Sequence, residues 1–523
     1  MIIIQNLVKK FGDRTIIRDF SHHFSKSEKI GIVGPNGAGK TTFLNIVTGL
    51  EEHDSGKITT PKNCVVGYLP QSPCENPKET ILEECIFGQK ELVSLQHRIN
   101  EALEEIGANY SEETYSRYEA LEKEFAEKNG YALNAVAKGL LAGLGFANEQ
   151  FDENPLNLSG GWRMRLELAK LLINDPNFLI LDEPTNHLDL PSLSWLEQYL
   201  KFFTGTLLFV SHDKEFLNNI STQIMHILNG AVNIYNGNFD DFIEQRERKI
   251  EHSQKQQETN KKKQDHLLNF IDKFRYKASK AKQAQSKLKT LERLKSLEAR
   301  LEIEGDEQKP TFKIDIEKQS AKIVVDLKDC AIGYDKVLNK NINLRILRGS
   351  KIAIIGANGL GKTTLLKTII QQIPLLAGEM KIGENVKIGY YAQSQLDILD
   401  SKLDALENVL RLTKDINHTQ ARSILGCLLI TKNDVKKQVG ILSGGEKSKV
   451  AIAALLAQRN NFLILDEPTN HLDMSSADAL GNALSDYSGT VLLVSHNRAF
   501  INSFSTHIFK MEANKTPELI NIE

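Results

Sequence analysis

The residues with the clearest chemistry occur twice. Gly34, Pro35, Asn36, Gly37, Ala38, Gly39, Lys40, Thr41 and Thr42 are matched by Gly356, Ala357, Asn358, Gly359, Leu360, Gly361, Lys362, Thr363 and Thr364. This is the G-x-x-x-x-G-K-T phosphate-binding pattern, and in both copies an apolar strand-like run precedes it and an apolar helix-like run follows. Glycines let the chain curl so that successive amides face phosphate oxygens, and the following helix adds its positive end. Lys40 and Lys362 then suit the outer phosphates of a nucleoside triphosphate, and Thr41 and Thr363 suit a magnesium ion.

Downstream, the apolar runs Phe178-Leu-Ile-Leu and Phe462-Leu-Ile-Leu each end in two acids, Asp182-Glu183 and Asp466-Glu467. Such runs read as buried parallel strands. Asp182 and Asp466 suit the metal, directly or through water, while Glu183 and Glu467 suit a general base that polarises attacking water. Adjacent acids at a strand end are elsewhere commonly helix caps, but a phosphate loop upstream of both pairs favours catalysis. His212 and His496 follow a second apolar strand in Val-Ser-His, placed to contact a terminal phosphate.

The spacings show that the whole nucleotide machinery is duplicated. Ser159 to Glu183 and Ser443 to Glu467 are both 24 residues, and Glu183 to His212 and Glu467 to His496 are both 29. Lys40 to Gln71 and Lys362 to Gln393 are both 31, but Gln71 to Ser159 is 88 where Gln393 to Ser443 is 50, so the first half carries a 38-residue insertion. Apolar residues at helical intervals place it at about 88–130 as two antiparallel helices. The expected fold is α/β, with two tandem P-loop ATPase domains, the first with an inserted helical arm. The domains fall at 1–245 and 311–523, joined by a basic helical-hairpin linker at 246–310.

That linker region lacks glycine and proline from Phe239 to Glu304, as a long helical segment requires. Between Arg246 and Glu302 it holds 17 Lys or Arg against 8 Asp or Glu, although the chain as a whole has a net charge of −2. Lys273, Arg275, Tyr276, Lys277, Lys280 and Lys282 lie near the expected hairpin tip. Cations interleaved with aromatics there suit RNA, while the competing reading is a solvated basic helix pair. The five cysteines include no C-x-x-C pair, which argues against zinc and disulfides. No apolar run has the length of a membrane span, and the amino terminus lacks signal-peptide features, so a cytoplasmic, membrane-free protein is expected.

Leu158-Ser159-Gly160-Gly161 and Leu442-Ser443-Gly444-Gly445 resemble the signature sequence of ATP-binding cassette proteins. The resemblance implies that each signature completes the opposite cassette's ATP site, so that one chain forms two composite sites and works as a monomer. It also implies a Q-loop role toward nucleotide and magnesium for Gln71 and Gln393, adenine stacking for Phe11 and Tyr334, and D-loops at Leu188-Asp189 and Leu472-Asp473. Trp162 departs from the Gln or Glu of most cassettes, while the second half keeps Glu446, which leaves room for unequal sites.

Glu-Pro-Thr-Asn-His-Leu-Asp at 183–189 and again at 467–473, the stretch Leu158-Ser-Gly-Gly-Trp-Arg-Met-Arg165 and the linker run 274–286 resemble the ABC-F branch. Its members are ribosome-associated translation factors without membrane domains. That implies an ATP-gated factor whose linker enters the tRNA exit site and meets P-site tRNA and rRNA, and it makes the 38-residue insertion the arm. An antibiotic-resistance ribosome protection factor lies within the same family. Two other classes compete: the ATPase subunit of a membrane exporter, which would not need the basic hairpin, and a DNA repair ATPase, whose projections are usually longer or carry zinc cysteines.

Overall fold

The computed structural model describes residues 2–69, 80–274, 314–392, 398–413, 416–430, 434–470, 472–512 and 515–522. Each half contains the same pair of sheets. In the first half β1 (Ile3–Phe11) pairs antiparallel with β2 (Arg14–His23) and β4 (Ser55–Thr59). The main sheet is built from β3 (Lys29–Val33), β5 (Val66–Leu69), β6 (Phe178–Asp182), β7 (Thr206–Val210), β8 (Gln223–Leu228) and β9 (Ala231–Asn236) in the order β5-β6-β7-β3-β8-β9. All neighbours run parallel except β8 and β9.

The second half repeats this order. β10 (Ile323–Gly333) lies between β11 (Val337–Leu347) and β13 (Ala377–Ile382). The main sheet runs β14-β15-β16-β12-β17-β18, formed by β12 (Lys351–Gly356), β14 (Ile388–Tyr391), β15 (Phe462–Asp466), β16 (Thr490–Val494), β17 (His507–Met511) and β18 (Glu518–Asn521).

The central strands explain their own sequence. Every residue of β6 and of β15 is buried, because helices or the small sheet cover both faces of a parallel sheet. Alternate residues of β6 serve two cores. Phe178 and Ile180 pack with Phe43 and Leu44 of α1 (Lys40–Thr48) and with the antiparallel sheet. Leu179 and Leu181 face α6 (Gly160–Leu172) and α7 (Leu190–Phe202). The period of two thus fixes where the acids at the strand tip emerge.

Between β5 and α6 stand α2 (Ile81–Ile86), α3 (Lys90–Ala108), α4 (Glu112–Glu127) and α5 (Leu133–Gly143). α3 and α4 form the inserted arm. Leu92, Leu95, Ile99 and Ala102 of α3 pack against Leu121 and Phe125 of α4, so the pair buries its own apolar stripe. Beyond α8 (Lys214–Ile220), α9 (Phe239–Phe274) is rooted in the first cassette by buried Phe239 and Phe242. At 1.5 Å per residue its 36 residues extend about 54 Å.

The second half completes with α10 (Lys362–Ile369), α11 (Ala405–Leu412), α12 (His418–Cys427), α13 (Gly444–Ala457), α14 (Met474–Asp486) and α15 (Arg498–Phe504). Among the described residues, no helix is long and apolar enough to cross a membrane. Cys64, Cys85, Cys330 and Cys427 are free thiols, and Cys74 lies outside the described residues.

Candidate functional site

The phosphate loops owe their shape to backbone conformations that favour glycine. Gly39 sits at φ +100°, and a side chain there would collide with Ile16; Gly361 sits at φ +86°. Each of these glycines is the N-cap of the helix that follows, α1 or α10, so the loop amides and the helix's positive end converge. Lys40 Nζ donates to the carbonyls of Gly34 (2.8 Å) and Pro35 (3.3 Å). Lys362 Nζ donates to Gly356 (2.7 Å) and Ala357 (3.0 Å) and to the Asn358 side chain (3.2 Å). Both ammonium groups are buried, which lowers their affinity for the proton, and anionic phosphate in the loop would offset that burial.

The strand-tip acids face these loops. Thr41 Oγ1 donates to Asp182 Oδ2 at 2.8 Å, while the buried Asp182 Oδ1 meets no donor among the described residues. Burial raises the pKa of Asp182, and Thr41 and Lys40 oppose the rise. Asp466 repeats this environment, with Thr363 and Lys362 as its partners. A hydroxyl, a carboxylate and an unmatched carboxylate oxygen form a hard donor set that fits magnesium. That ion commonly takes only one or two protein carboxylates and completes its shell with water and phosphate. Among the described residues no cluster of three or more His, Cys, Asp or Glu that could hold a metal occurs.

Glu183 and Glu467 stand just past β6 and β15 at φ +52° and +48°. A left-handed glutamate costs on the order of 1–3 kcal/mol, and such strain clusters at active sites. The turn is held by each glutamate's N–H, which donates to Val210 (3.0 Å) or Val494 (2.8 Å). Burial pushes the Glu183 carboxyl up to about 8 against the pull of Lys40. Glu467 is pushed up to about 8 by burial and by Asp466. The imidazoles stand beside them: His212 Nε2 is 3.2 Å from Glu183 Oε1, and His496 Nε2 is 3.3 Å from Glu467 Oε1. Burial and the Lys362 charge hold His496 down to about 3, so it is a neutral imidazole at pH 7.

The first site takes walls from both cassettes. One cavity of about 590 Å³ is lined by Phe11, the loop residues Asn36, Gly37 and Gly39 to Thr42, the Asp182–Glu183 pair and His212, and also by Ser443, Gly444 and Gly445 from the other half of the chain. Phe11 is 51% exposed at its mouth. Arg14 and Asn186 line the same cavity, and Arg14 donates to the Gly37 carbonyl at 2.9 Å. Asn186 belongs to the repeated Glu-Pro-Thr-Asn-His-Leu-Asp run, whereas Arg14 carries no sequence signal beyond its position three residues after Phe11.

The second site shows the reciprocal arrangement through its contacts. Asp189 Oδ2 accepts the Asn358 N–H at 2.8 Å, and Asp473 Oδ2 lies 3.4 Å from the Asn36 nitrogen. Lys362 feels the charges of Asp189 and Arg165, just as Lys40 feels those of Asp473 and Lys449. Ser159 and Ser443 are the N-caps of α6 and α13, which brings Gly160, Gly161, Gly444 and Gly445 to the first turns of those helices. Tyr334 is exposed at the turn between β10 and β11.

Two further cross-cassette ties follow the histidines. Lys214 Nζ pairs with Asp478 at 2.6 Å, and Arg498 reaches Ser194 Oγ (2.7 Å) and Glu197 (3.4 Å). Gln71 and Gln393 lie outside the described residues, as do Arg275, Tyr276, Lys277, Lys280, Lys282 and the side chain of Lys273.

A family model described as ABC transporter matches residues 17–186 and 339–470, and a second with the same description matches 225–314. The chain is similar to the putative ATP-binding protein YdiF of Bacillus subtilis (strain 168), with 38% identity over 99% of this chain and 82% of that protein. It is 34% identical to ABC transporter F family member 5 of Arabidopsis thaliana, over 97% of this chain and 74% of that protein. Its fold is similar to a chain in the crystal structure of archaeal ribosomal stalk protein aP1 with the archaeal ribosome recycling factor aABCE1. That match has a TM-score of 0.60 and 18% identity, and it covers 99% of this chain and 90% of the other.

Proposed function

This chain belongs to the ABC-F branch of the ATP-binding cassette family, and from that premise we propose that it is an ATP-gated ribosome-binding factor that modulates translation. It is an ATPase with two tandem cassettes. The observation that carries the proposal is the first site's cavity, walled by one cassette's phosphate loop and the other's Ser443, Gly444 and Gly445. A nucleotide that needs both walls favours the closed arrangement, and closure is then available to do work elsewhere.

At each site the loop amides and lysine hold the phosphates, and the adenine stacks on Phe11 or Tyr334. Thr41 with Asp182, and Thr363 with Asp466, would hold magnesium, and the family resemblance assigns Gln71 and Gln393 a Q-loop role toward it; the ion would supply charge compensation for the phosphates. In their ionised form, which grows as pH rises toward about 8, Glu183 and Glu467 take a proton from the attacking water, and His212 and His496 orient the terminal phosphate. The signature serines and glycines supply the last donors. Hydrolysis removes the group that both walls grip, and the cassettes separate.

The ribosome enters through the family and through charge. Residues 246–302, which include most of the long α9, hold 17 Lys or Arg against 8 acids, a composition suited to phosphate-rich RNA. In this reading the linker enters the tRNA exit site, with P-site tRNA and rRNA as its contacts, and a single chain works as a monomer in the cytoplasm. The archaeal fold relative in complex with a ribosomal stalk protein is compatible with such a partner.

The test replaces Lys273, Arg275, Lys277, Lys280 and Lys282 with glutamine and measures co-sedimentation with ribosomes over a salt series. The reading requires weaker binding and a shallower salt dependence, because fewer phosphate contacts release fewer counterions. Unchanged binding and an unchanged salt slope would contradict it.

A further inference from the structure

The two signature helices differ at their third residue, and the duplication makes the consequence measurable. Trp162 of α6 packs on Phe146, with ring centroids 4.8 Å apart, and the Arg165 guanidinium lies 4.5 Å from the indole centroid. Arg165 is 1% exposed. Its Nη1 donates to the Leu144 carbonyl (2.9 Å) and to Ser192 Oγ (3.2 Å), and its Nη2 lies 3.3 Å from Asp189 Oδ2. The same Asp189 oxygen accepts the Asn358 N–H at 2.8 Å. An unbroken line of contacts therefore runs from Trp162 to the second phosphate loop.

In the other half the line is longer where it meets the phosphate loop, 3.4 Å against 2.8 Å, although its middle link, Lys449 to Asp473 at 2.9 Å, is shorter than the 3.3 Å of Arg165 to Asp189. Glu446 turns back on its own N-cap and accepts the Ser443 N–H (2.8 Å) and hydroxyl (2.7 Å). Leu429, Ile430, Glu446 and Lys449, the counterparts of Gly145, Phe146, Trp162 and Arg165, border a cavity of about 130 Å³. Lys449 still pairs with Asp473 at 2.9 Å, but Asp473 stands 3.4 Å from the Asn36 nitrogen. Trp162 stacks against Phe146 and Arg165, whereas its counterpart Glu446 borders this cavity and carries no ring to pack on Lys449. A planar guanidinium stacked on a ring is also held more rigidly than an ammonium.

We infer that Trp162 is a positioning residue that braces the ATP site on the second phosphate loop, so that this site binds ATP more tightly than the site on the first. The inference rests on the composite-site reading above, in which α6 completes the site of Lys362 and α13 that of Lys40.

Steady-state ATP hydrolysis of the full chain without ribosomes tests it in two backgrounds. Glu183→Gln leaves the second site to be read, and Glu467→Gln leaves the first. In the Glu183→Gln background Trp162→Glu should raise KM for ATP about tenfold with kcat within about threefold, and Trp162→Phe should restore most of the affinity. In the Glu467→Gln background Trp162→Glu should leave KM within about twofold. Equal shifts in both backgrounds, or none in either, would overturn the inference. A shift confined to the Glu467→Gln background would instead overturn the pairing of signatures with opposite loops. Glu446→Trp keeps the idea testable if Trp162→Glu does not fold: it should lower KM severalfold at the first site, and an unchanged or higher KM there would sink the inference.

Discussion

Asp189 and Asn358 are 169 residues apart in the chain, yet the Asp189 carboxylate accepts the Asn358 amide hydrogen at 2.8 Å. The same carboxylate pairs with buried Arg165 and accepts the Ser192 N–H at the start of α7. One side chain thus ties the first cassette's signature helix, its own D-loop helix and the second cassette's phosphate loop. It links contact between the cassettes directly to the second phosphate loop.

Removing that tie should cost both stability and nucleotide affinity. Asp189→Ala leaves the Arg165 charge buried without its carboxylate, a change that costs about 3–5 kcal/mol for buried pairs. The variant should unfold at a clearly lower urea concentration, and in the Glu183→Gln background its KM for ATP should rise at least tenfold. An unaltered KM would mean that the Asn358 contact does not position the loop.

The charge ties behind the histidines should be exchangeable. Lys214 and Asp478 are each about one third exposed, so their pair is worth at most about 1 kcal/mol and is screened by salt. Lys214→Asp should raise KM for ATP a few-fold at low salt and less at high salt. Lys214→Asp with Asp478→Lys should return it toward the starting value. Failure of the swap to restore KM would show that Lys214 acts through something other than Asp478.

Hydrolysis should need a divalent cation held by the strand-tip acids. A chelator should abolish turnover, and Asp182→Asn in the Glu467→Gln background should lower kcat at least a hundredfold. Turnover that survives the chelator would remove the metal from the reading.

Acid sensitivity should carry the mark of Asp473. Burial pushes this carboxyl up, but Lys449 and Ser476 outweigh it and hold it at about 2. With its pKa depressed on folding, the unfolded chain binds more protons between roughly pH 4 and 2. The stability Asp473 contributes is therefore complete above about pH 4 and is lost as pH falls toward 2. The difference in urea midpoint between the native chain and Asp473→Asn should shrink over that window, and a constant difference would contradict the ion pair.

What the sequence made legible was which contiguous residues gather around one cavity. Lys40, Thr41, Asp182, Glu183 and His212 announce themselves through short motifs on strands and helix starts, and the repeated spacings double the signal. The arm was legible because α3 and α4 keep apolar residues at helical intervals. The contacts that join the halves were not. The signature resemblance implied that each site is shared, but nothing local in Asp189, Lys214 or Arg498 names a partner 169 to 304 residues away. The left-handed backbone of Glu183 and Glu467 was also hidden, since the following proline only disfavours the right-handed helical region for the residue before it. Trp162 was visible as a departure, but its effect needed the stack on Arg165.

ATP held between the cassettes should control access to the ribosome. The most direct test is sedimentation of ribosomes with the full chain carrying Glu183→Gln and Glu467→Gln, which should retain ATP while slowing its hydrolysis. The variant should pellet with ribosomes in ATP and not in ADP, with affinities differing by about a hundredfold, or about 2.8 kcal/mol. Equal binding in ATP and ADP, with hydrolysis shown to be blocked, would contradict it.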